Sequence, residues 1–294
     1  MNPVAPPTAP TAATFLAALQ LEPAEAEVYD EAWTARTQYV PWPKAFGGDM
    51  VAQAAAALMR SVGTDRVLHS MHSYFLRPVD VGAGVRYEVE RLRDGRGYST
   101  RHARAFQNGK PVFDATASFS VPEDGDDEAP AMPGVPRPED LPSAADVLAG
   151  VDGPAAAYWS GGRSFDMRHV EGPLYLEATG SRTPHQAVWV RAFDRLPDDP
   201  DLHRAALAYV CDYTILEPLL RSRGRAWGDP GLVTASLDHS MWFHREGRAD
   251  EWVLYAQEAC SLQRNRGLAR GQFFDSRGRL LATVAQEGMI RPGA

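Results

Sequence analysis

Hydrophobic and polar residues alternate along the segment from Leu232 to His244. Odd-numbered positions carry the apolar residues Val233, Ala235, Leu237, Met241 and Phe243. Even-numbered positions carry the polar residues Thr234, Ser236, Asp238 and Ser240. A period of two residues predicts a half-buried β-strand. A weaker copy of the pattern lies at 66–78, and a shift of 167 residues lays the His-Ser pair at 72–73 on the pair at 239–240. The pattern therefore predicts two copies of one unit.

The elements around these strands repeat in the same order. In the first unit, an alanine-rich helix follows Gly47 and Gly48, and strands are predicted at 68–76, 85–92, 99–106 and 111–121. Asn108-Gly109 joins the last two strands and is the strongest short signal for a hairpin. In the second unit a helix is predicted over 202–220, with strands at 186–193, 232–244, 251–262, 267–274 and 280–290. One helix against a bent antiparallel sheet, present twice, defines an α+β fold.

The expected organisation has four parts. Residues 1–13 are rich in Pro, Ala and Thr and are expected to form a disordered leader, before a first unit over 14–121. Residues 122–160 begin with an acidic, proline-rich stretch that has little to bury, and they are expected to form a linker. Residues 161–294 form the second unit, which is expected to carry the catalytic residues.

Composition and charge narrow the classes of function. The 294 residues are 44% hydrophobic and 23% charged, as in a soluble globular protein. The net charge of -8 argues against a general nucleic-acid binder, although local basic clusters could hold a phosphorylated ligand. No apolar run approaches the roughly 20 residues of a membrane span.

The termini and the cysteines favour the cytoplasm. The N-terminus lacks the charged start and apolar run of a signal peptide, and the C-terminal RPGA is not a peroxisomal address. Cys211 and Cys260 each lie in apolar sequence and are expected to be buried free thiols. No CxxC or Cys/His cluster indicates a metal site.

Three polar residues of the second unit are candidates for chemistry. Asp212 lies among apolar residues of a predicted helix, where a carboxylate is costly to bury without a partner. Ser236 lies within a predicted strand, and Gln286 continues the apolar face of another. A carboxylate, a hydroxyl and an amide can together hold one water, whose proton the carboxylate accepts. Such a set suits hydrolysis without a covalent intermediate.

These residues also have ordinary structural interpretations. A helical Asp is usually solvated, and the parity that carries Ser236 could simply face solvent. His72 and His239 lie in apolar strands, where a histidine is more often a hydrogen-bonded core residue than a base. Gly47 and Gly48 either leave backbone N–H groups facing a carbonyl or phosphate oxygen or form a flexible turn before the helix.

Longer motifs carry a family resemblance. The first unit contains FGGDMVAQA, HSYFLRPVD and LRDGRGYSTRHARAFQNGKPVFDATASF, and the second contains LDHSMWFHR, EWVLY, RNRGLARGQFF and TVAQEGMIR. In this order they closely resemble the type II acyl-CoA thioesterases, from about Phe15 to Arg291. The resemblance implies a double-hotdog fold, in which each hotdog is a long helix wrapped by an antiparallel sheet. It also implies hydrolysis of fatty acyl-CoA to free fatty acid and CoA.

The resemblance assigns a catalytic set. The family's acidic residue falls on Asp212, its Thr or Ser on Ser236, and its glutamine before a Glu-Gly pair on Gln286. Asp212 is then expected to act as general base or to orient a water that the other two position. Direct attack by Asp212 through an anhydride is the less favoured variant. Backbone N–H groups, with Gly47 and Gly48 as candidates, are expected to stabilise the oxyanion, and no metal or redox cofactor is implied.

Other residues are candidates for substrate contact. The cations that could bind CoA phosphates, or simply form solvated surface, are Arg264, Arg266 and Arg270. The side chains that could set the depth of an acyl tunnel are Met50, Leu58, Tyr74 and Trp242.

The duplication predicts one active site per chain, in the second unit. The first-unit counterparts are His69 for Ser236, Ala117 or Ser118 for Gln286, and Gln53 for Asp212. Two alternative functions stay open: a hotdog hydratase or dehydratase, which needs a carboxylate–histidine pair, and a non-catalytic acyl-CoA-binding protein. A monomer and a homo-oligomer are both compatible with a duplicated hotdog.

Overall fold

The chain folds into one antiparallel sheet. The computed structural model describes residues 6–7 and 9–291. Its strands are β1 (Glu22–Ala24), β2 (Glu31–Arg36), β3 (Val67–Phe75), β4 (Gly84–Asp94), β5 (Tyr98–Gln107), β6 (Lys110–Ser120), β7 (Phe165–His169), β8 (His185–Ala192), β9 (Val233–Ser236), β10 (Asp238–Phe243), β11 (Val253–Gln263), β12 (Arg266–Asp275) and β13 (Leu280–Arg291). They lie side by side in the order β1-β2-β4-β5-β6-β3-β10-β13-β12-β11-β8-β7, and β9 also pairs with β13.

Two long helices cover the inner face of this sheet. The helices are α1 (Ala13–Ala18), α2 (Gly47–Arg60), α3 (Ala144–Val147), α4 (Pro154–Ala157), α5 (Pro200–Val210) and α6 (Glu217–Ser222). α2 packs against β3 to β6 and against α5. Its fully buried alanines, among them Ala54, Ala55 and Ala57, let the neighbouring elements approach closely. The expected α+β fold of two tandem hotdogs is confirmed.

The two halves meet where β3 pairs with β10. Ser73 lies opposite His239, and His72 lies opposite Ser240. His239 is fully buried, whereas His72 is exposed on the outer face. The shift of 167 residues is therefore wrong as a superposition of the two strands, because it lays an outward residue on an inward one. The duplication is visible instead in the strand order, which runs outward from β3 and β10 in matching succession.

The predicted hairpin between β5 and β6 is confirmed. Asn108 and Gly109 have φ of 52° and 70°, and a type I′ turn requires positive φ at both central residues. The turn between β11 and β12 also has positive φ at both central residues but contains no glycine there, since Arg264 and Asn265 have φ of 51° and 61°.

Two predicted elements are interrupted, and both interruptions lie near candidate catalytic residues. The helix predicted over 202–220 divides into α5, a 3₁₀ turn at Cys211–Tyr213, and α6. The strand predicted over 232–244 divides into β9 and β10. The prediction of one continuous element is wrong in each case.

Part of the predicted leader is held against the second half. The Thr11 hydroxyl and the Ala12 backbone N–H donate hydrogen bonds to the Asp194 carboxylate, at 2.7 and 2.8 Å. The disordered leader predicted over 1–13 is therefore wrong for these two residues. Residues 1–5 and 8 lie outside the described residues.

Part of the segment predicted as a linker, 122–160, packs on the outer face of the second half of the sheet. The Trp189 indole N–H donates to the Pro136 carbonyl at 2.9 Å. Met132 and Leu141 pack against the apolar cluster around Trp189. The segment thus covers hydrophobic surface, contrary to the expectation that it has little to bury.

The two cysteines differ in their surroundings. Cys211 is buried as expected, but Cys260 is exposed. The ladder between β11 and β12 shifts register between Ala259 and Ser261, so Cys260 lies at an irregularity at the edge of the core. In the described part of the chain, no helix has the length and apolar character that a membrane crossing requires.

Candidate active site

Asp212, Ser236 and Gln286 lie within hydrogen-bonding distance of one another. The Ser236 hydroxyl donates to Asp212 Oδ1 at 2.7 Å, and the Gln286 amide donates to the same oxygen at 2.6 Å. Gln286 Nε2 also lies 2.9 Å from Ser236 Oγ. An amide nitrogen carries two hydrogens and can serve both partners. Two donors therefore fix one carboxylate oxygen.

A β-bulge turns Ser236 towards Asp212. β9 and β10 both pair with β13, where Ser236 lies opposite Gly288 and Ser240 lies opposite Ala285. Four residues from Ser236 to Ser240 therefore match only three residues on β13. The extra residue reverses the facing of the residues that precede it. Ser236 therefore points into the interior, although Ser240 of the same parity does not. Val233 and Ala235, which the alternation predicts on the buried face, are exposed.

The turn after α5 presents the Asp212 carboxylate. The residue keeps partial solvent exposure. Burial raises the pKa of Asp212 above the ordinary value for a carboxyl, and hydrogen bonds from Gln286, Ser236 and the Gly48 backbone offset part of that rise. A carboxylate that is both a stronger base than usual and held by two side-chain donors suits the acceptance of a proton.

The first half contributes the N-terminus of α2. The backbone N–H of Gly48 faces the Asp212 carboxylate and lowers the pKa of that group. A Cβ on Gly48 would lie 2.3 Å from the Tyr209 carbonyl oxygen, and a Cβ on Gly47 would lie 2.5 Å from Asp212 Oδ2. Only glycine permits so close an approach. The site is therefore built from both halves of the chain.

A second carboxylate lies one residue further along α2. Asp49 is 1% exposed and accepts hydrogen bonds from the backbone N–H and the side-chain amide of Gln38, each at 2.8 Å. Burial raises the pKa of Asp49 to about 6, although the bonds from Gln38 act to lower it. Asp49 anchors the loop that leads into α2. The alanine-rich pattern gave no signal for this role.

Aromatic rings connect the two backbone segments of the site. Phe46 stacks on Tyr213 with ring centroids 4.6 Å apart, and the Tyr209 and Tyr213 hydroxyls lie 2.9 Å apart. The Arg163 guanidinium lies 4.7 Å from the Tyr213 ring centroid. Phe46 directly precedes the two glycines and Tyr213 directly follows Asp212. The stacking therefore holds both segments in register, a role that the sequence pattern did not reveal.

The apolar candidates for substrate contact do not lie together. Tyr74 and Trp242 are 63% and 37% exposed on the outer face of β3 and β10. Met50 and Leu58 are buried on α2, in the core of the first half. Tyr74 and Trp242 thus lie on the face of the sheet opposite Gln286, because Gln286 points inward.

The candidate arginines also lie away from the three polar side chains. Arg266 pairs with Glu287 at 3.3 Å, and Arg270 pairs with Glu258 at 3.1 Å. Both arginines are exposed on the outer face of β12, and Arg264 lies in the exposed turn before it. The structure does not bring them to Asp212.

The first-half counterparts form no equivalent set. Gln53 accepts a hydrogen bond from the Tyr87 hydroxyl at 2.7 Å and is fully buried. Ala117 is an apolar residue on the inner face, and His69 bonds Ser118 at 2.8 Å on the other face. These positions serve packing.

The surroundings of Asp212 also bear on the alternative reactions. Among the hydrogen bonds of residues 6–7 and 9–291, none joins a histidine to Asp212, and the buried His239 lies 3.0 Å from Cys211 Sγ instead. The same residues contain no cluster of three or more His, Cys, Asp or Glu side chains placed to hold a metal ion.

Comparison with known proteins identifies the family to which the chain is similar. A family model described as acyl-CoA thioesterase matches residues 163–289, and one described as the acyl-CoA thioesterase N-terminal domain matches residues 38–120. The chain is 34% identical over 272 residues to acyl-CoA thioesterase 2 of Haemophilus influenzae, covering 90% of this chain and 94% of that protein. It is 34% identical over 295 residues to human acyl-coenzyme A thioesterase 8, covering 93% of this chain and 87% of that protein.

A solved structure shows the same architecture. The tesB protein of Mycobacterium avium subspecies paratuberculosis superposes with a TM-score of 0.77 at 31% identity, covering 96% of this chain and all of that one. Fold and matched regions together define a double-hotdog hydrolase that acts on thioesters. The chain belongs to the acyl-CoA thioesterase family.

Proposed function

We propose that this protein hydrolyses fatty acyl-CoA to free fatty acid and CoA, with Asp212, Ser236 and Gln286 as its catalytic residues. The observation that carries the proposal is the convergence of the Ser236 hydroxyl and the Gln286 amide on one oxygen of Asp212. The Gly48 N–H faces the same carboxylate and lowers its pKa. An orienting set of this kind leaves the carboxylate poised to take a proton from a water.

The water has a second point of attachment on Gln286. Gln286 is fully buried, and its Oε1 accepts no hydrogen bond from the described residues. Because Nε2 is committed to Asp212 and Ser236, Oε1 is the remaining atom that can accept from a water. A water held by Asp212 and Gln286 Oε1 has its lone pair directed away from both, towards the thioester carbonyl.

The oxyanion is stabilised by the N-terminus of α2. The first N–H groups of a helix have no intrahelical partner, and Gly47 lies against Asp212. One backbone donor to an oxyanion contributes about 2.7–4 kcal/mol. Attack by water forms a tetrahedral oxyanion, and its collapse breaks the C–S bond and leaves the free fatty acid. Asp212 gives the proton that it took from the water to the departing sulfur, so CoA leaves as the thiol.

A thiol-release assay over a panel of acyl-CoA substrates tests the proposal. Wild type should release CoA, whereas Asp212→Ala should lose nearly all of that rate while retaining its circular dichroism spectrum. Asp152→Ala, which removes an exposed carboxylate elsewhere, is the matched control. Equal release by wild type and Asp212→Ala would overturn the assignment. Binding without release would identify a carrier, and hydration of an enoyl-CoA would identify a hydratase.

We also propose that the enzyme works in the cytoplasm. Both cysteines are free, and Cys260 is exposed, a state that a reducing compartment maintains. Fractionation of cells that express the full chain with an antibody-detectable tag tests this location.

A further inference from the structure

We propose that Leu216 and Leu219 set the length of the acyl chain that the enzyme accepts. Their side chains fill a trough on the inner face of the sheet, which two adjacent glycines, Gly267 and Gly288, leave without side chains beside the proposed catalytic residues. This inference rests on the proposed thioesterase function and adds the residues that determine its specificity.

The trough is formed by two glycines on adjacent strands. Gly288 on β13 lies opposite Ser236 on one side and opposite Gly267 of β12 on the other. The next pair on the same inner face of the two strands is Gln286 opposite Ala269. Beside the catalytic hydroxyl and amide, the inner face of the sheet therefore carries hydrogens and methyl groups where other strands carry large side chains.

Two leucines occupy the space that the glycines leave. A Cβ on Gly288 would lie 2.6 Å from Leu216 Cδ1, and a Cβ on Gly267 would lie 2.6 Å from Leu219 Cδ1. Both leucines are nearly inaccessible to solvent, at 5% and 1% exposure. The Leu216 methyl groups thus lie against β13, the strand that carries Gln286, and the Leu219 methyl groups lie against the neighbouring strand β12.

The broken helix brings these leucines to the trough. α5 ends at Val210, and the chain passes through the turn that holds Asp212 before α6 begins at Glu217. α6 then packs across β8, β11 and β12. In the first half α2 continues without a break from Gly47 to Arg60. The leucine-filled trough is therefore tied to the same interruption that presents the catalytic carboxylate.

A polar atom at the head of the trough indicates a ligand. Gln286 Oε1 is fully buried on the inner face and lacks a hydrogen-bond partner among residues 6–7 and 9–291. Oε1 only accepts hydrogen bonds, so the partner it lacks is a donor, which the attacking water supplies. The thioester carbonyl then lies beyond this water, and the alkyl chain points towards the glycine trough, where the methyl groups of Leu216 and Leu219 limit its length.

Replacing Leu216 with a smaller residue should allow the enzyme to accept longer acyl chains. Leucine to alanine removes about three carbons' worth of side chain, and the trough gains room for a similar length of alkyl chain. One methylene in an apolar pocket changes kcat/KM by about tenfold or more. For Leu216→Ala we expect the ratio of kcat/KM for long over short acyl-CoA substrates to rise at least ~10-fold relative to wild type. Leu216→Phe should move the ratio in the opposite direction.

The experiment measures kcat/KM from butanoyl-CoA to hexadecanoyl-CoA for wild type, Leu216→Ala, Leu216→Phe and Leu219→Ala. Leu220→Ala is the matched control, because Leu220 is equally buried on α6 but is not among the atoms nearest either glycine. It should lower activity on all substrates alike. If Leu216→Ala does not fold, Leu216→Val makes a smaller cavity and should give a smaller shift of the same sign.

The outcomes separate this inference from the proposed function. Absence of CoA release by folded wild type from every substrate would overturn the proposed function itself. Hydrolysis by wild type with a Leu216→Ala profile parallel to that of wild type or of Leu220→Ala would overturn the role of the leucines alone.

Discussion

Gly48, near the start of α2, presents its backbone N–H to the carboxylate of Asp212, 164 positions later in the chain, and lowers the pKa of that carboxyl. The contact joins the first half to the turn that ends α5 in the second. Because Gly48 lies against the Tyr209 carbonyl as well, the helix end cannot move away without opening the site. The proposed chemistry of Asp212 thus depends on the packing of both halves.

Asp212→Asn should abolish most turnover while preserving the fold. The amide keeps the size of the carboxylate but cannot accept a proton, and general-base catalysis contributes about 10²–10⁴-fold. We expect kcat to fall by about that factor, with a much smaller change in KM. Steady-state kinetics of thiol release provides the measurement, and a Gln286→Ala variant with a comparable loss would support a shared role. Retention of more than half the wild-type kcat would contradict it.

Ser236→Ala should shift the acid side of the pH–rate profile. The rate requires ionised Asp212, so it falls as the pH drops through the pKa of that group. The Ser236 hydrogen bond lowers the pKa of Asp212, and its removal should move the acid limb to higher pH. Ser236→Thr keeps the hydroxyl and should leave the limb in place. A loss of rate without any shift of the limb would count against this coupling.

Gly48→Ala should weaken both folding and activity. Its Cβ would lie 2.3 Å from a Phe46 ring carbon and from the Tyr209 carbonyl oxygen, and overpacking of this kind costs about 1–3 kcal/mol. The helix end should move outward and withdraw the N–H from Asp212. Gly84→Ala is the control, because a Cβ there meets nothing within 4 Å. Urea unfolding and thiol release should both separate the two variants; identical behaviour would refute the close contact.

Asp49→Asn should change how stability depends on pH. The pKa of Asp49 is about 6 in the folded protein against an ordinary value of 3.8. Between these values the folded state holds a proton that the unfolded state has lost, so this group makes stability fall as the pH rises from about 4 to about 6. The total is of order 3 kcal/mol. Urea titrations across this range should show a flatter profile for Asp49→Asn, and parallel profiles would argue against a buried, titrating Asp49.

Arg266→Ala and Arg270→Ala should leave KM for acyl-CoA within about twofold of wild type. Their ion pairs with Glu287 and Glu258 are exposed on the outer face, where such pairs contribute little. Initial-rate measurements at varied substrate concentration test this expectation. A rise in KM with unchanged kcat would restore the arginines as candidates for holding CoA phosphates.

Local signals were sufficient for much of the fold. Asn108-Gly109 predicted its hairpin because the turn type depends only on two adjacent residues. The alanine-rich helix after Gly47 and Gly48 was predicted for the same reason, since propensity and packing agree there. The break at Cys211–Tyr213 was not predicted, although Pro218 within 202–220 is a local signal for it. Proline has no N–H to donate to the carbonyl four residues earlier, and Pro218 lies in the first turn of α6.

The face of the sheet to which each side chain points was harder to predict than the positions of the strands. The alternation around Ser236 is regular in sequence, and the bulge that inverts it leaves no compositional mark. Tyr74 and Trp242 looked like tunnel residues because large aromatic side chains are usually buried, yet they lie on the outer face. The candidate catalytic set was assigned through family resemblance, and its meeting with Gly48 depends on contacts between distant segments.

The seam between β3 and β10 makes this chain resemble a dimer whose partners can no longer separate. Permanent attachment relieves the first copy of any need to keep its own acid, hydroxyl and amide, and Gln53 and Ala117 are committed to packing instead. The cost of the proposed single site is the loss of redundancy. One lesion at that site would abolish all turnover, whereas a symmetric pair of sites would keep half.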